Sequence, residues 1–389
     1  EGQYSEDLIS SFQYVNQSRI GWRNNLIFKK RIKKYDNASG DLDYVLGRIK
    51  LSYKRPDRPI YFELNTSTER TQNENYSIVY DSVGVGLGNY RYDNSFNTFI
   101  RDPNGSYISY SVPSGQRIDM VNVKGFQKIV YDFQKIKGYP ALKLKMDTNY
   151  DYSGTNFDLR WFANPIISDT SLYRSYLYNI VEIDWSLNKS MKRFRAYNIF
   201  SYDLQGYDPR GNELLKHIES GADYYSSIGK NTNVKVTGFY HNKKINSGFT
   251  SLRNRNIFGS WYEVSIYSKN RRNLDSEISM EFGSDRGTFY LDDYNAVGLG
   301  FEYNGRLYLG KSGSIQTNLS WHKNKEKSGI RVLPPEAING LTIGENININ
   351  TRANYFLNKD ISFSLSISYI NNYRYSNLIT VLGEFRAYL

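Results

Sequence analysis

Polar and apolar residues alternate with a period of two along most of this 389-residue chain. The stretch NININTRANYFLNKDISFSLSISYI, residues 346–370, shows the alternation twice, on either side of Asn358-Lys359-Asp360. Successive side chains of a β-strand point to opposite faces, so each half of this stretch predicts a strand with one apolar and one polar face. Segments with a helical period are nearly absent, and the chain is therefore predicted to be all-β.

The links between predicted strands alternate in length toward the C-terminus. Short links are predicted at Asn188–Ser190, Gly229–Lys230, Asn270–Arg272, Gly310–Lys311 and Asn358–Lys359. Longer links rich in Gly, Pro and Asp are predicted at Gly206–Asn212, Ser247–Asn254, Ser284–Tyr294 and Ser328–Gly344. We count about 16–18 strands, many of them about 10–15 residues long, which exceeds the usual strand length in soluble sheets.

The segment Gly84–Arg117 interrupts this rhythm. It is too long for a hairpin loop and has its own turn signal at Asp102-Pro103-Asn104-Gly105. Its tyrosines and phenylalanines predict an ordered insertion, either a small hairpin or a plug-like loop.

Roughly 17 antiparallel strands with one apolar face would leave two edges and a very large apolar surface in water. Closing the sheet removes the edges, and lipid covers the apolar face of a closed barrel. We therefore predict a single transmembrane antiparallel β-barrel of about 16–18 strands over residues 1–389, with the insertion at about 84–117. A soluble all-β protein, such as a propeller or a carbohydrate-binding sandwich, is the alternative, although no blade repeat of about 40–45 residues is found.

The composition excludes several other classes of protein. The chain has no cysteine, which excludes disulfides and thiolate metal sites. Its net charge is +11, but Lys and Arg are spread along the whole sequence, without a zinc finger or an RNA-recognition signature. We therefore expect no nucleic-acid partner. No run approaches 18 consecutive apolar residues, which excludes a transmembrane helix.

The last predicted strand, NLITVLGEFRAYL, carries Gly383, Phe385 and Leu389. These residues resemble the C-terminal membrane-insertion signal of the outer-membrane β-barrel proteins of Gram-negative bacteria, which the chain resembles over most of its length. The family signal usually ends in an aromatic residue, whereas this chain ends in Leu389. The composition, rich in Asn, Lys, Tyr and Ile, is similar to that of large barrels of the Bacteroidota, many of which carry an upstream periplasmic part.

This resemblance implies a location in the bacterial outer membrane, with the C-terminus and the short links in the periplasm. It implies contact with outer-membrane lipid and lipopolysaccharide, and insertion by the barrel-assembly machinery. It also leaves open that the chain is the C-terminal part of a longer polypeptide.

Charged side chains on the predicted inner face are the main candidates for a functional site. Two interpretations remain open, namely salt-bridge ladders that brace the wall and a ring of charge that selects a permeant. The candidates are Arg48, Lys50, Lys143, Lys145, Glu302, Arg306, Arg352, Glu384 and Arg386.

Catalytic and metal-binding motifs are missing from the sequence. The three histidines, His217, His241 and His322, lack metal-ligand spacing, and neither HExxH nor GxSxG occurs. We expect no enzyme activity, no cofactor and no zinc site. Three residues offer side-chain oxygen atoms that could bind calcium, although their spacing is not that of an EF-hand: Asp93, Asp102 and Asn104. The alternative is that these side chains cap the backbone of their own turns.

A barrel of about 16–18 strands encloses enough space for water. The sequence therefore favours a porin-like channel or a transport or export barrel. The alternative is a non-conducting membrane scaffold, or a subunit of an outer-membrane assembly or secretion complex that binds partner protein subunits.

Overall fold

The computed structural model describes residues 5–387 except for 36–41, 95–96, 156–171, 189–191, 207–208, 210, 250–252, 271–272, 290–291, 311, 330–332, 359–360 and 374. Nineteen strands are formed within this part of the chain: β1 (Ser5–Gln17), β2 (Trp22–Tyr35), β3 (Leu42–Lys54), β4 (Ile60–Ser82), β5 (Gly88–Asp93), β6 (Thr98–Gly105), β7 (Tyr107–Asp132), β8 (Leu142–Gly154), β9 (Leu172–Asn188), β10 (Lys192–Gln205), β11 (Glu213–Ile228), β12 (Thr232–Ser247), β13 (Arg255–Asn270), β14 (Leu274–Phe289), β15 (Asp292–Tyr308), β16 (Gly313–Glu326), β17 (Gly344–Phe356), β18 (Ile361–Asn371) and β19 (Leu378–Ala387). Short 3-10 turns lie at Phe133–Lys135 and Ile338–Gly340. Over these residues, no helix is long and apolar enough to cross a membrane.

All strands except β5 and β6 form one continuous antiparallel wall. Each wall strand pairs with the next one along the chain, and β4 pairs with β7 across the inserted β5–β6 hairpin. The wall therefore has 17 of the 19 strands, within the predicted range. The prediction of an all-β fold with about 16–18 antiparallel strands in one sheet is confirmed.

The wall has one end with tight turns and one end with longer loops. Tight turns join β1 to β2, β11 to β12 and β15 to β16, and Gly21, Gly229 and Gly310 take positive φ values of 97°, 76° and 61° in them. Glycine adopts this left-handed conformation without the steric cost of a Cβ. We call this the tight-turn end and the opposite one the long-loop end. Strand β19 ends at the tight-turn end.

One predicted long link is wrong. The range Ser284–Tyr294 is mostly strand, because β14 continues to Phe289 and β15 begins at Asp292, and these two residues are paired. The Gly, Ser and Asp content suggested a loop. In the fold, Asp285 is completely buried and its polar atoms are hydrogen-bonded, so the segment remains within the sheet.

The strand register separates an apolar face from a polar face. On the apolar face, five neighbouring strands place Val264, Met280, Phe301, Trp321 and Ile347 side by side. The apolar side chain of Met280 is 54% exposed. A contiguous exposed band of this kind is characteristic of a surface covered by lipid or by another protein.

Two buried clusters lie toward the long-loop end, one on each face. Val123, Tyr152, Leu177 and Tyr202 form a cluster on the apolar face. Strand β9 shows the boundary, since Leu177 is 6% exposed whereas Val181 is 44% exposed. The exposed apolar band on this strand is therefore confined to the half nearer the tight-turn end. The second cluster, on the polar face, belongs to the candidate site.

The predicted insertion contains the β5–β6 hairpin, and its last part, from Tyr107 onward, belongs to β7. Strands β4 and β7 pair as far as Ser82 and Tyr107, beyond the wall itself. The ring of Phe99 stacks on that of Tyr80 at 3.9 Å between centroids and meets the edge of Tyr107 at 5.0 Å. These aromatic contacts give the projecting segment a packed interior at the long-loop end.

Candidate functional site: the polar face of the wall

The nine charged residues predicted to face inward all lie on the polar face of the register. Lys143 lies 3.3 Å from Asp132, and Arg386 lies 2.7 Å from Glu384 on its own strand. Arg306 and Arg352 donate to the amide oxygens of neighbouring side chains, at 3.0 and 3.2 Å. The prediction treated these residues as one set, whereas the structure divides them into groups with different surroundings.

A ladder of ion pairs crosses strands β8 to β11. The carboxylate of Asp184 accepts from Lys145 at 3.0 Å and from Arg193 at 2.6 Å. On the next pair of strands, Arg195 donates to Asp223 at 3.0 Å, and the Asp223 side chain is only 4% exposed. Opposite charges thus face each other across every strand boundary from β8 to β11. We infer that these ion pairs stabilise this part of the wall, because removing one partner would leave the other charge poorly hydrated.

Acidic side chains collect on the polar face of strands β13 to β15. Glu263 and Glu281 stand directly opposite each other in the register. Lys235 lies 4.0 Å from Glu263, and His322 Nε2 lies 3.0 Å from Glu281. Carboxylates outnumber the cations beside them, so this part of the wall presents negative charge. The acidic wall consists of Glu263, Glu277, Glu281 and Glu302.

Basic side chains collect on the polar face of strands β2 and β3. All four of these residues (Arg23, Lys29, Arg48 and Lys50) are exposed. Within the described part of the chain, none of them forms an ion pair with a carboxylate. Counted along the wall, these strands lie about half of its 17 strands away from the acidic wall. In a barrel, the two groups therefore occupy opposite sides. The basic wall consists of Arg23, Lys29, Arg48 and Lys50.

A fully buried carboxylate lies on the polar face near the long-loop end. Trp261 Nε1 donates to Asp285 Oδ1 at 2.9 Å, and His241 Nε2 lies 3.1 Å from the same oxygen. A Cβ at Gly259 would lie 1.8 Å from this oxygen, so only glycine allows the carboxylate to approach the neighbouring strand. The sequence did not predict this site, because Asp285 lies within the range 284–294 that was predicted to be a loop, and His241 has no metal-ligand spacing to another histidine.

The segment between β16 and β17 is anchored to this carboxylate. The backbone N–H of Ile338 donates to Asp285 Oδ2 at 2.6 Å. Arg255 makes two hydrogen bonds to the carboxylate of Glu336, at 2.8 and 2.5 Å, and Ala337 and Ile338 are buried. Residues 333–342, which we call the anchored segment, therefore fold back onto the polar face of β13 to β15.

A second contact crosses the long-loop end. Arg101, on strand β6, donates to the carbonyl oxygen of Gly248 at 3.3 Å. The ring of Phe249 lies 5.3 Å from the guanidinium carbons of both Arg101 and Arg253. The hairpin on β4 and β7 thus reaches the link between β12 and β13, past the four strands β8 to β11. This contact partly covers the long-loop end.

Two of the calcium candidates, Asp102 and Asn104, form an ordinary turn interaction with each other. Asp102 accepts from the backbone N–H of Asn104 at 3.0 Å and lies 3.3 Å from Arg91. Across the described residues, no group of three or more acidic or histidine side chains could hold a metal ion. In the predicted insertion signal, Gly383 and Phe385 lie on the apolar face, whereas Leu389 is outside the described residues.

No protein-family model matches the chain, and no curated protein matches it. The ferric yersiniabactin uptake receptor FyuA from Yersinia pestis aligns with 99% of this chain and 72% of its own, at 8% identity and a TM-score of 0.41. The siderophore receptor PiuA from Acinetobacter baumannii aligns with 99% and 74%, at 8% identity and a TM-score of 0.39. A bacterial polysaccharide outer-membrane secretin aligns with 83% and 87%, at 8% identity and a TM-score of 0.33. Similarity at this level of identity and TM-score assigns no function to the chain.

Proposed function

We propose that the chain is an integral outer-membrane β-barrel that acts as a porin-like channel or as a transport or export barrel. The observation that carries this proposal is the separation of faces across a continuous wall of 17 strands. An apolar band suits lipid, and a charged opposite face suits a water-filled lumen. A wall of this many strands encloses a lumen wide enough for water and small solutes.

Placement in the outer membrane is supported by the chain itself. Gly383 and Phe385 lie on the apolar face of β19, where the C-terminal insertion signal of Gram-negative barrels would be accessible to the barrel-assembly machinery. The net charge of +11 would favour contact with the phosphates of lipopolysaccharide. The tight-turn end would then face the periplasm and the long-loop end the outside.

The two charged walls support a role in ion passage. Cations would follow the acidic wall on β13 to β15, and anions the basic wall on β2 and β3. Opposite charges on the two sides of a lumen would orient polar solutes as they pass. The range of this electrostatic interaction is set by the screening length of the solution. The substrate class that fits best is a small hydrophilic or zwitterionic solute.

Conductance in a planar lipid bilayer tests this proposal. The purified protein should give steady current steps that scale with salt concentration. The matched control is protein boiled before addition, which should give none. Membrane-integrated protein that leaves the bilayer silent would argue against a channel.

A second candidate function is a non-conducting scaffold or a subunit of an assembly or secretion complex. Two features favour this candidate, namely the contact between Arg101 and Phe249 and the anchored segment. Both would narrow the opening of a barrel at the long-loop end. Mild detergent purification from the natural membrane distinguishes the two candidates. A silent bilayer together with stoichiometric partner subunits would support the scaffold.

A further inference from the structure

The wall has two strand edges without a partner in the described residues. Strand β1 pairs only with β2, and strand β19 only with β18. On β1, the adjacent residues Leu8 and Ile9 point to opposite faces and are both 63% exposed. On β19, a Cβ at Gly383 would meet nothing within 4 Å. In lipid, unpaired N–H and C=O groups of such edges are strongly unfavourable, so something must cover the seam between β1 and β19.

The strand directions exclude a simple antiparallel closure. Seventeen strands alternate in direction, so the first and the last run the same way, from the long-loop end to the tight-turn end. Joining β1 directly to β19 would create one parallel pair in an otherwise antiparallel wall. Single-chain bacterial barrels have an even number of antiparallel strands. An odd number of further strands satisfies both conditions.

A second copy of this chain cannot supply the missing direction. Copies inserted in the same membrane have the same orientation, so their β1 and β19 edges all run toward the tight-turn end. Any pairing of β1 or β19 with the same edges of another copy is therefore parallel as well. The partner must contain strands that run from the tight-turn end to the long-loop end.

We propose that the seam is closed by an odd number of antiparallel strands from polypeptide joined to the N-terminal end of β1. Each wall strand already pairs with its sequence neighbour, and a strand preceding β1 would continue the ladder in the required direction. Charge supports the same placement, since Lys29 and Arg48 face inward near this seam and have no ion pair in the described part of the chain. The added strands should carry acidic residues on the lumen face and apolar residues on the lipid face.

This inference rests on the proposed membrane barrel, and photo-cross-linking in the natural membrane tests it. The photoreactive amino acid p-benzoylphenylalanine replaces Tyr14 on the β1 edge, in the complete polypeptide. The same probe at Tyr240, on β12 with paired strands on both sides, is the control. We expect the Tyr14 probe to capture, besides β2, peptides that precede β1 in the same polypeptide. Capture of residues 378–387, of a second copy or of a different polypeptide would overturn the proposal, as would no capture while the control probe reacts.

Paired cysteines add a second test, since the chain has no cysteine of its own. Phe12→Cys with Phe28→Cys, which are register partners, should be joined by a short bismaleimide. Phe12→Cys combined with Val381→Cys should not be joined, and a cross-link there would show direct closure. Protein extracted from membranes by carbonate would instead overturn the proposed function, so the two failures are distinguishable.

Discussion

Trp261 donates its indole N–H to Asp285 at 2.9 Å across the boundary between strands β13 and β14, and both side chains are almost completely buried. The other oxygen of Asp285 accepts the backbone N–H of Ile338, from the anchored segment. A single carboxylate thus joins two wall strands to a segment outside the wall. This connection is the reason that the anchored segment is fixed in place on the polar face.

Replacing Asp285 should therefore both destabilise the barrel and release the anchored segment. Asp285→Ala removes the acceptor of two donors, and we expect the free energy of unfolding to fall by about 3 kcal/mol. Urea unfolding, followed by the gel shift between folded and unfolded forms, measures the loss. Limited proteolysis should show new cleavage within residues 333–342. Asp293→Asn, at an exposed position on β15, is the control and should leave both measurements unchanged.

The close approach of Asp285 to Gly259 can be tested by comparing alanine substitutions at two glycines, one at this site and one far from it. In Gly259→Ala, the new Cβ would overlap Asp285 Oδ1, at 1.8 Å. Such overpacking should lower the free energy of unfolding by about 1–3 kcal/mol. In Gly383→Ala, the new Cβ meets nothing within 4 Å, so stability should be unchanged. Equal stability of the two variants in urea would contradict the geometry of the site.

The ion-pair ladder should be more sensitive to substitution than the exposed pair near the C-terminus. Arg195→Met leaves Asp223, which is 4% exposed, without its guanidinium partner, and should cost about 3–5 kcal/mol. Arg386→Met removes a pair whose side chains are 57% and 42% exposed, and should cost less than about 1 kcal/mol. The same urea series compares them. Similar losses would mean that the ladder does not brace the wall.

The two charged walls should have opposite effects on ion selectivity. The double variant Glu281→Gln with Glu302→Gln should lower the cation-to-anion permeability ratio by about two- to five-fold, because roughly 0.2–0.5 kcal/mol of attraction is lost per charge in a hydrated pore. Arg48→Gln with Lys50→Gln should raise the ratio by a similar factor. Reversal potentials in a KCl gradient give both ratios. Parallel shifts in the two double variants would exclude opposed walls.

The period-two pattern predicted the strands and their faces, because the position of a side chain along a strand fixes the face on which it lies. All nine predicted inward-facing charges lie on the polar face for this reason. The pattern also predicted the number of wall strands. The pairing of Ile347 with Trp321, by contrast, became visible only in the register.

The buried site could not be predicted from the pattern, because it depends on contacts between residues far apart in sequence. Asp285 and Ile338 are separated by 53 positions, and nothing local to either indicates that they meet. The segregation of charge was missed for a related reason. In sequence order the charges look mixed, and only the positions of Arg48 and Glu281 around the wall separate the basic wall from the acidic wall.

The most direct test of the account is a cysteine scan along β14 in the cysteine-free chain. Single cysteines at residues 277–282 are exposed to a water-soluble maleimide in intact membranes. We predict labelling at Glu277 and Glu281, which are partly exposed on the lumen face, and protection at Ile278, Met280 and Phe282, which face lipid, until the membrane is dissolved and the protein unfolded. Equal labelling of the two sets, or labelling of the apolar set alone, would contradict a lipid-facing band and a water-filled lumen.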